Sequence, residues 1–147
     1  MRAIFDANIF ISDLLSTGQE AHISKIINAA FLREFTLLLP EDLLDELART
    51  IRGKERLRKR ISDDRATRMI ELLSAIVEKI PSLDQLEIPQ ATRDPKDDYL
   101  LAHALLNKID YLVTRDKDLL VLKQVKDVKI VPPSEFLKVL YPPKQVT

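Results

Sequence analysis

Residues 93–120, RDPKDDYLLAHALLNKIDYLVTRDKDLL, read as helix, strand and helix in one run, and that reading decides the fold. Asp94-Pro95 starts the first helix, because the aspartate can accept from free first-turn amides and proline at the first helical position gives up no needed hydrogen bond. This helix is expected to reach about Lys108. Residues 111–114 (YLVT) form an apolar run too short for a helix and read as a strand, with a short helix over 116–121 after it.

Working outward, Ala3-Ile4-Phe5, ended by Asp6, reads as a buried strand, 36–39 as a second stopped by Pro40, and 129–131 as another. A helix is expected from Thr17, which has capping-box spacing to Glu20, to about Phe31, and another from Glu41 to about Ile51 with Leu43, Leu44, Leu47 and Ile51 on one face. Ser62 caps a helix carrying Met69, Ile70, Leu73, Val77 and Ile80, which Pro81 ends, and 133–140 is a closing helix. Residues 86–89 read as a connection or edge strand. Strands alternating with helices predict a three-layer α/β/α sandwich with a central, mainly parallel sheet of four or five strands. One domain is expected over 1–141, with a mobile tail at 142–147.

Composition removes several chemistries. The chain has 147 residues, two glycines, two histidines and no cysteine. Disulfides, thiol nucleophiles and zinc ribbons are excluded, and Gly18 and Gly53 cannot build a dinucleotide or Walker loop. No apolar run approaches the roughly 18 residues of a bilayer span, and no targeting signal is visible, so a cytoplasmic protein without a membrane role is expected. Net charge is zero, yet residues 49–68 hold nine Lys or Arg against Glu55, Asp63 and Asp64. The common fate of such a run is the solvated face of a helix pair.

What remains for chemistry is oxygen. Ligands bind beyond the carboxyl ends of parallel strands, and Asp6 and Asp116 both fall there. A helical wheel puts Asp97 in the apolar stripe of Leu100, Leu101 and Ala104, with Asp98 at its margin. Each acid alone has an ordinary reading: a turn aspartate for Asp6, a third-position cap for Asp97, a helix-start acid for Asp116 or Asp118. Asp45 and Glu46 both flank an apolar face, and spacing does not choose between them. Together, carboxylates from distant segments meeting at one edge need a proton or a cation between them. Oxygen ligands suit Mg²⁺ or Mn²⁺, and the implied chemistry is metal-assisted hydrolysis of a phosphodiester, with no histidine base required. His103, with Tyr99 on the less apolar side of its helix, reads as a surface or interface residue.

RAIFDANIFIS, DELART, RDPKDDYLLAHAL, YLVTRDKDLL and VKIVPPSEFL, in this order from residue 2 to about 140, resemble the PIN-domain family and within it the VapC-like toxin group. The resemblance implies a Mg²⁺- or Mn²⁺-dependent endoribonuclease, the toxin of a toxin–antitoxin pair, with RNA as substrate, an antitoxin as partner and a homodimer as its state. It assigns Asp6, Glu46, Asp97 and Asp116 as the acidic positions, with Asp98 aligning at the third after a one-residue shift. Asn8 resembles the polar residue beside the first aspartate, and Thr114 a hydroxyl supporting the site. Arg115 stands where relatives often carry glycine and is a candidate phosphate contact or a solvent-facing side chain. The basic run gains a second meaning as a track for an RNA backbone. Phe10 and Tyr99 are the nearest stacking candidates, and apolar side chains on the early helices are candidates for the homodimer or antitoxin interface. The alternative is a catalytically silent PIN-like module that binds protein or RNA. A phosphatase using Asp6 as nucleophile expects a second aspartate where Asn8 stands.

Overall fold

Ala3, Ile4 and Phe5 are all shielded from solvent. Successive strand side chains point to opposite faces, so both faces of this strand must be covered. It is β1 (Arg2–Phe5), at the centre of the sheet, with β2 (Thr36–Pro40) on one side and β4 (Tyr111–Val113) on the other. Beyond them lie β3 (Glu78–Ile80) and β6 (Val128–Val131), and β5 (Gln124–Val125) closes the edge, giving the order β3-β2-β1-β4-β6-β5. All pairings are parallel except β5 with β6. The computed structural model describes residues 1–16, 20–84 and 87–143.

Eight helices flank the sheet among the described residues: α1 (Ala7–Leu15), α2 (Ala21–Phe31), α3 (Leu43–Gly53), α4 (Glu55–Arg60), α5 (Asp63–Ile76), α6 (Pro95–Leu106), α7 (Lys117–Leu120) and α8 (Pro133–Leu140). The α/β sandwich is therefore as expected, but the sheet has six strands rather than four or five. Both additional strands are short. Glu78–Ile80 was expected inside the helix that starts at Ser62, since Val77 and Ile80 continue its apolar spacing; the helix stops at Ile76, and backbone pairing with β2 takes over. β5 is a two-residue strand paired antiparallel to β6.

α1 has no counterpart in the sequence reading, because ANIFISDLL is apolar nearly throughout and shows little periodicity. Four of its nine residues are buried, Phe10 among them. Phe10 is thus a core residue rather than a stacking platform: its ring meets Phe5, which also meets Phe35 and Phe136. Thr17 lies outside the described residues; α2 starts at Ala21 after Glu20, without a side-chain cap. Its apolar face, from Ile23 to Ala30, is consumed by the chain's own core, so the early helices leave out little apolar surface besides Leu32. Leu86 of the expected 86–89 segment and 144–147 of the expected tail also lie outside the described residues.

His103 corrects a further expectation. It is fully buried, and both ring nitrogens are engaged. Nε2 accepts from the Leu83 backbone N–H at 3.0 Å, which leaves Nδ1 to donate to the Tyr99 carbonyl at 2.7 Å. A helical wheel misplaces it because its partner comes from a distant loop.

Candidate active site

Parallel strands release their chains at one edge, where each following helix begins with unpaired amides that an aspartate can satisfy. Three aspartates do this. Oδ1 of Asp6 accepts from the Asn8 N–H at 3.3 Å, Oδ1 of Asp94 from Lys96 at 2.9 Å, and Oδ1 of Asp116 from Asp118 at 2.8 Å. In each, one oxygen is occupied by its helix and the second is directed elsewhere. Oδ2 of Asp6 accepts from the Thr114 hydroxyl at 3.0 Å, and that same hydroxyl accepts from the Asp116 N–H at 3.0 Å. Thr114 is fully buried and ties the ends of β1 and β4 together.

Asp97, in the first turn of α6, is 4% exposed. Its Oδ2 is buried and has no hydrogen-bond partner among the described residues. Single oxygens of Asp94, Asp97 and Asp116 all lie within 4.8 Å of one another. They face a cavity of about 340 Å³ that Asp6, Asp42 and Glu46 also line. Asn8, Thr50, Lys54, Lys96 and Tyr99 contribute the other polar parts of its wall.

The electrostatics follow from this crowding. Burial, then the negative charges of Asp116 and Asp94, push the Asp97 carboxyl up to about 7. Asp6 is also raised, chiefly by burial; the bonds from Asn8 and Thr114 oppose this, while Asp116 and Asp94 add to it. Asp42 moves the other way. Burial acts to raise it, but hydrogen bonds from the Tyr99 hydroxyl at 2.5 Å and from Ser82 at 2.7 Å bring it below its ordinary value. A buried carboxylate oxygen without a donor, facing two more carboxylates, fits a hard divalent cation, which prefers oxygen ligands.

The residues singled out in the sequence are distributed unevenly. Asp6, Asn8, Glu46, Asp97 and Asp116 line the cavity, and Thr114 lies behind it. Burial of Leu43, Leu44, Leu47 and Ile51 orients α3 so that Glu46 lines the cavity wall and Asp45 does not. Asp98 is buried, but its Oδ1 accepts from the Ala91 and Thr92 N–H groups at 3.0 and 2.7 Å, so it braces a loop outside the cavity. Arg115 is held by Glu20 at 3.1 Å and is not part of the cavity wall. Sequence reasoning treated Asp94 only as a cap and passed over Asp42. The spacing of Asp42 and Glu46, four apart and hence neighbours on one face of α3, was the available signal.

The sequence model of the PIN domain matches residues 2–118. No curated protein sequence matches the chain. Among solved structures, the protein PAE2754 from Pyrobaculum aerophilum is similar, with a TM-score of 0.65 at 19% identity, over 95% of this chain and 89% of that one. VapBC2 from Rickettsia felis, solved bound to a DNA fragment from their promoter, is similar with a TM-score of 0.57 at 12% identity, over 90% of this chain and 98% of that one. At these identities the structural likeness speaks for the fold alone. The family match, which spans most of the sequence and includes all five aspartates of the cavity wall, shows that the chain belongs to the PIN domain family.

Proposed function

We propose that this protein is a Mg²⁺- or Mn²⁺-dependent endoribonuclease and the toxin of a toxin–antitoxin pair. The observation that carries the proposal is the buried, unpartnered Oδ2 of Asp97 set against the carboxylates of Asp94 and Asp116. Asp97, Asp94 and Asp116 are the residues that would hold the cation, with Asp6 beside them and Glu46 on the α3 wall. The chemistry supplied by such a cation is neutralisation of phosphate charge and acidification of water. Thr114 keeps Asp6 aimed by donating to it, and at the same time fixes the Asp116 backbone. Asn8, exposed at the start of α1 and part of the cavity wall, would contact a phosphate oxygen. The antitoxin partner is proposed from the likeness to VapBC2.

The test is cleavage of a mixed RNA pool in Mn²⁺, compared with chelator and with Asp6→Asn. Fragments are expected from the parent protein in Mn²⁺ only. An Asp6→Asn protein that cuts as well as its parent removes Asp6 from the site, and cutting undiminished in chelator defeats the metal-dependent reading.

A further inference from the structure

The segment from Lys54 to Arg60 is anchored by one apolar side chain and is otherwise mostly basic. Leu57 is 2% exposed, and its burial turns Arg56, Arg58, Lys59 and Arg60 to solvent. Among the described residues, Lys59, facing Glu55 at 3.1 Å, is the only basic side chain of 49–68 in an ion pair. Arg58 bends back onto the Arg52 carbonyl at 3.1 Å. Lys54 sits where α3 hands over to α4, and it lines the acidic cavity. Un-neutralised cations therefore continue from Lys54 in the cavity wall into α4, where Arg56 and Arg60, four residues apart, are separated by about 6 Å along the axis.

The chemistry of an occupant follows from the two ends of this track. An acidic polypeptide is attracted by the arginines but repelled by the carboxylates it meets next. A phosphodiester backbone suits both, since its phosphates pair with the basic side chains outside and share a cation with the carboxylates inside. Among the described residues, Tyr99 is the only aromatic residue in the cavity wall, and its ring lies 4.2 Å from that of His103 while its hydroxyl is held by Asp42. Base stacking is thus limited to that one ring, and most of the grip must come from phosphates. Asp97 lies at the buried floor, which a flexible single strand reaches more readily than a duplex with a persistence length of about 150 base pairs.

We propose that Lys54, Arg56 and Arg60 bind the phosphates of single-stranded RNA that flank the bond held over the carboxylates, a proposal that rests on the nuclease reading above. Binding along this track is independent of base sequence and strongly dependent on salt. The experiment measures the affinity of labelled oligouridine against salt concentration for Asp6→Asn, and for the same protein with Lys54→Gln, Arg56→Gln and Arg60→Gln added. Each lost phosphate contact lowers the slope of log K against log salt by about 0.7, so the triple change should lower it by about 2. Lys138→Gln on α8 should leave it unchanged, and the melting temperature should report an intact fold throughout. In the parent background, the triple change should raise KM for a long oligouridine with little effect on kcat, whereas Arg56→Gln with Arg60→Gln, which leaves Lys54 in the cavity wall, should leave a short oligouridine that spans only the cavity unaffected. An unchanged slope overturns the proposal. So does equal loss of duplex RNA binding, or polyglutamate competing as well as oligouridine at equal charge, which would point to an acidic protein partner. A parent protein that cuts no RNA, with the slope still lowered, defeats the nuclease reading and leaves the binding track standing.

Discussion

Asp97 is the residue on which the site turns, and its environment makes a counter-intuitive prediction. Its carboxyl titrates at about 7 when folded, well above the ordinary 3.8. The unfolded chain therefore gives up this proton earlier than the folded one. The resulting stability is fully present below the unfolded value and is lost as pH rises through about 7. In chelator, the melting temperature should fall between mildly acidic and mildly alkaline solution, and Asp97→Asn should flatten that fall and stabilise the protein above neutrality. The same substitution should also blunt the rise in melting temperature that Mn²⁺ gives the parent, since a ligand bound only by the folded state stabilises it. A variant as pH-sensitive as the parent would place the titrating group elsewhere. Thr114→Val tests the neighbouring contact: removing a fully buried hydroxyl from between Asp6 and the Asp116 N–H should cost about 1–3 kcal/mol in urea unfolding. From sequence, Asp97 was visible as an acid in an apolar stripe. The different tasks of Asp97 and Asp98 were not, because they depend on whether the 91–92 loop supplies donors.

At the scale of elements, the edge is a set of helix starts. α1, α6 and α7 each begin with an aspartate whose Oδ1 serves the helix, so capping and site formation are one arrangement. Asp94→Asn should keep most of the cap, since asparagine caps about as well, while weakening Mn²⁺ binding; Asp94→Ala should additionally cost about 1 kcal/mol. Calorimetric Mn²⁺ titration beside thermal melting separates the two effects, and a full-strength titration of Asp94→Asn would exclude that carboxylate as a ligand. α6 is also latched to the strand edge beyond β3 through His103, which accepts from Leu83. His103→Phe leaves that N–H without an acceptor, so amide exchange at Leu83 should accelerate and stability fall by about 1–3 kcal/mol. Helix starts of this kind were readable from Asp-Pro and from the apolar spacing of α3 and α5. The end of α5 was not, because Val77 and Ile80 satisfy the helical period equally well, and only pairing with β2 makes 78–80 a strand.

Across the whole molecule, the sheet turns a scattered sequence into a site. β1 and β4 are neighbours although Asp6 and Thr114 are 108 residues apart. Beneath the edge, Phe5, Phe10, Phe35 and Phe136 pack ring against ring, joining β1, α1, the approach to β2 and α8. Phe136→Ala should cost about 3–5 kcal/mol with an unchanged m-value, as expected for loss from one shared core, while the fraction still folded keeps its Mn²⁺ affinity. A separate, early unfolding transition for α8 would contradict a single core. The sequence by itself determined the α/β class, the central strands and the family resemblance, because short apolar runs ended by aspartate, Asp-Pro and periodic leucines are local signals. Only the tertiary structure decided that Asp94 joins Asp97 and Asp116, that Asp98 and Arg115 are engaged elsewhere, that His103 and Phe10 are buried, and that the sheet gains β3 and β5. Those outcomes depend on which distant backbone groups arrive beside each side chain, and no local pattern encodes that arrival.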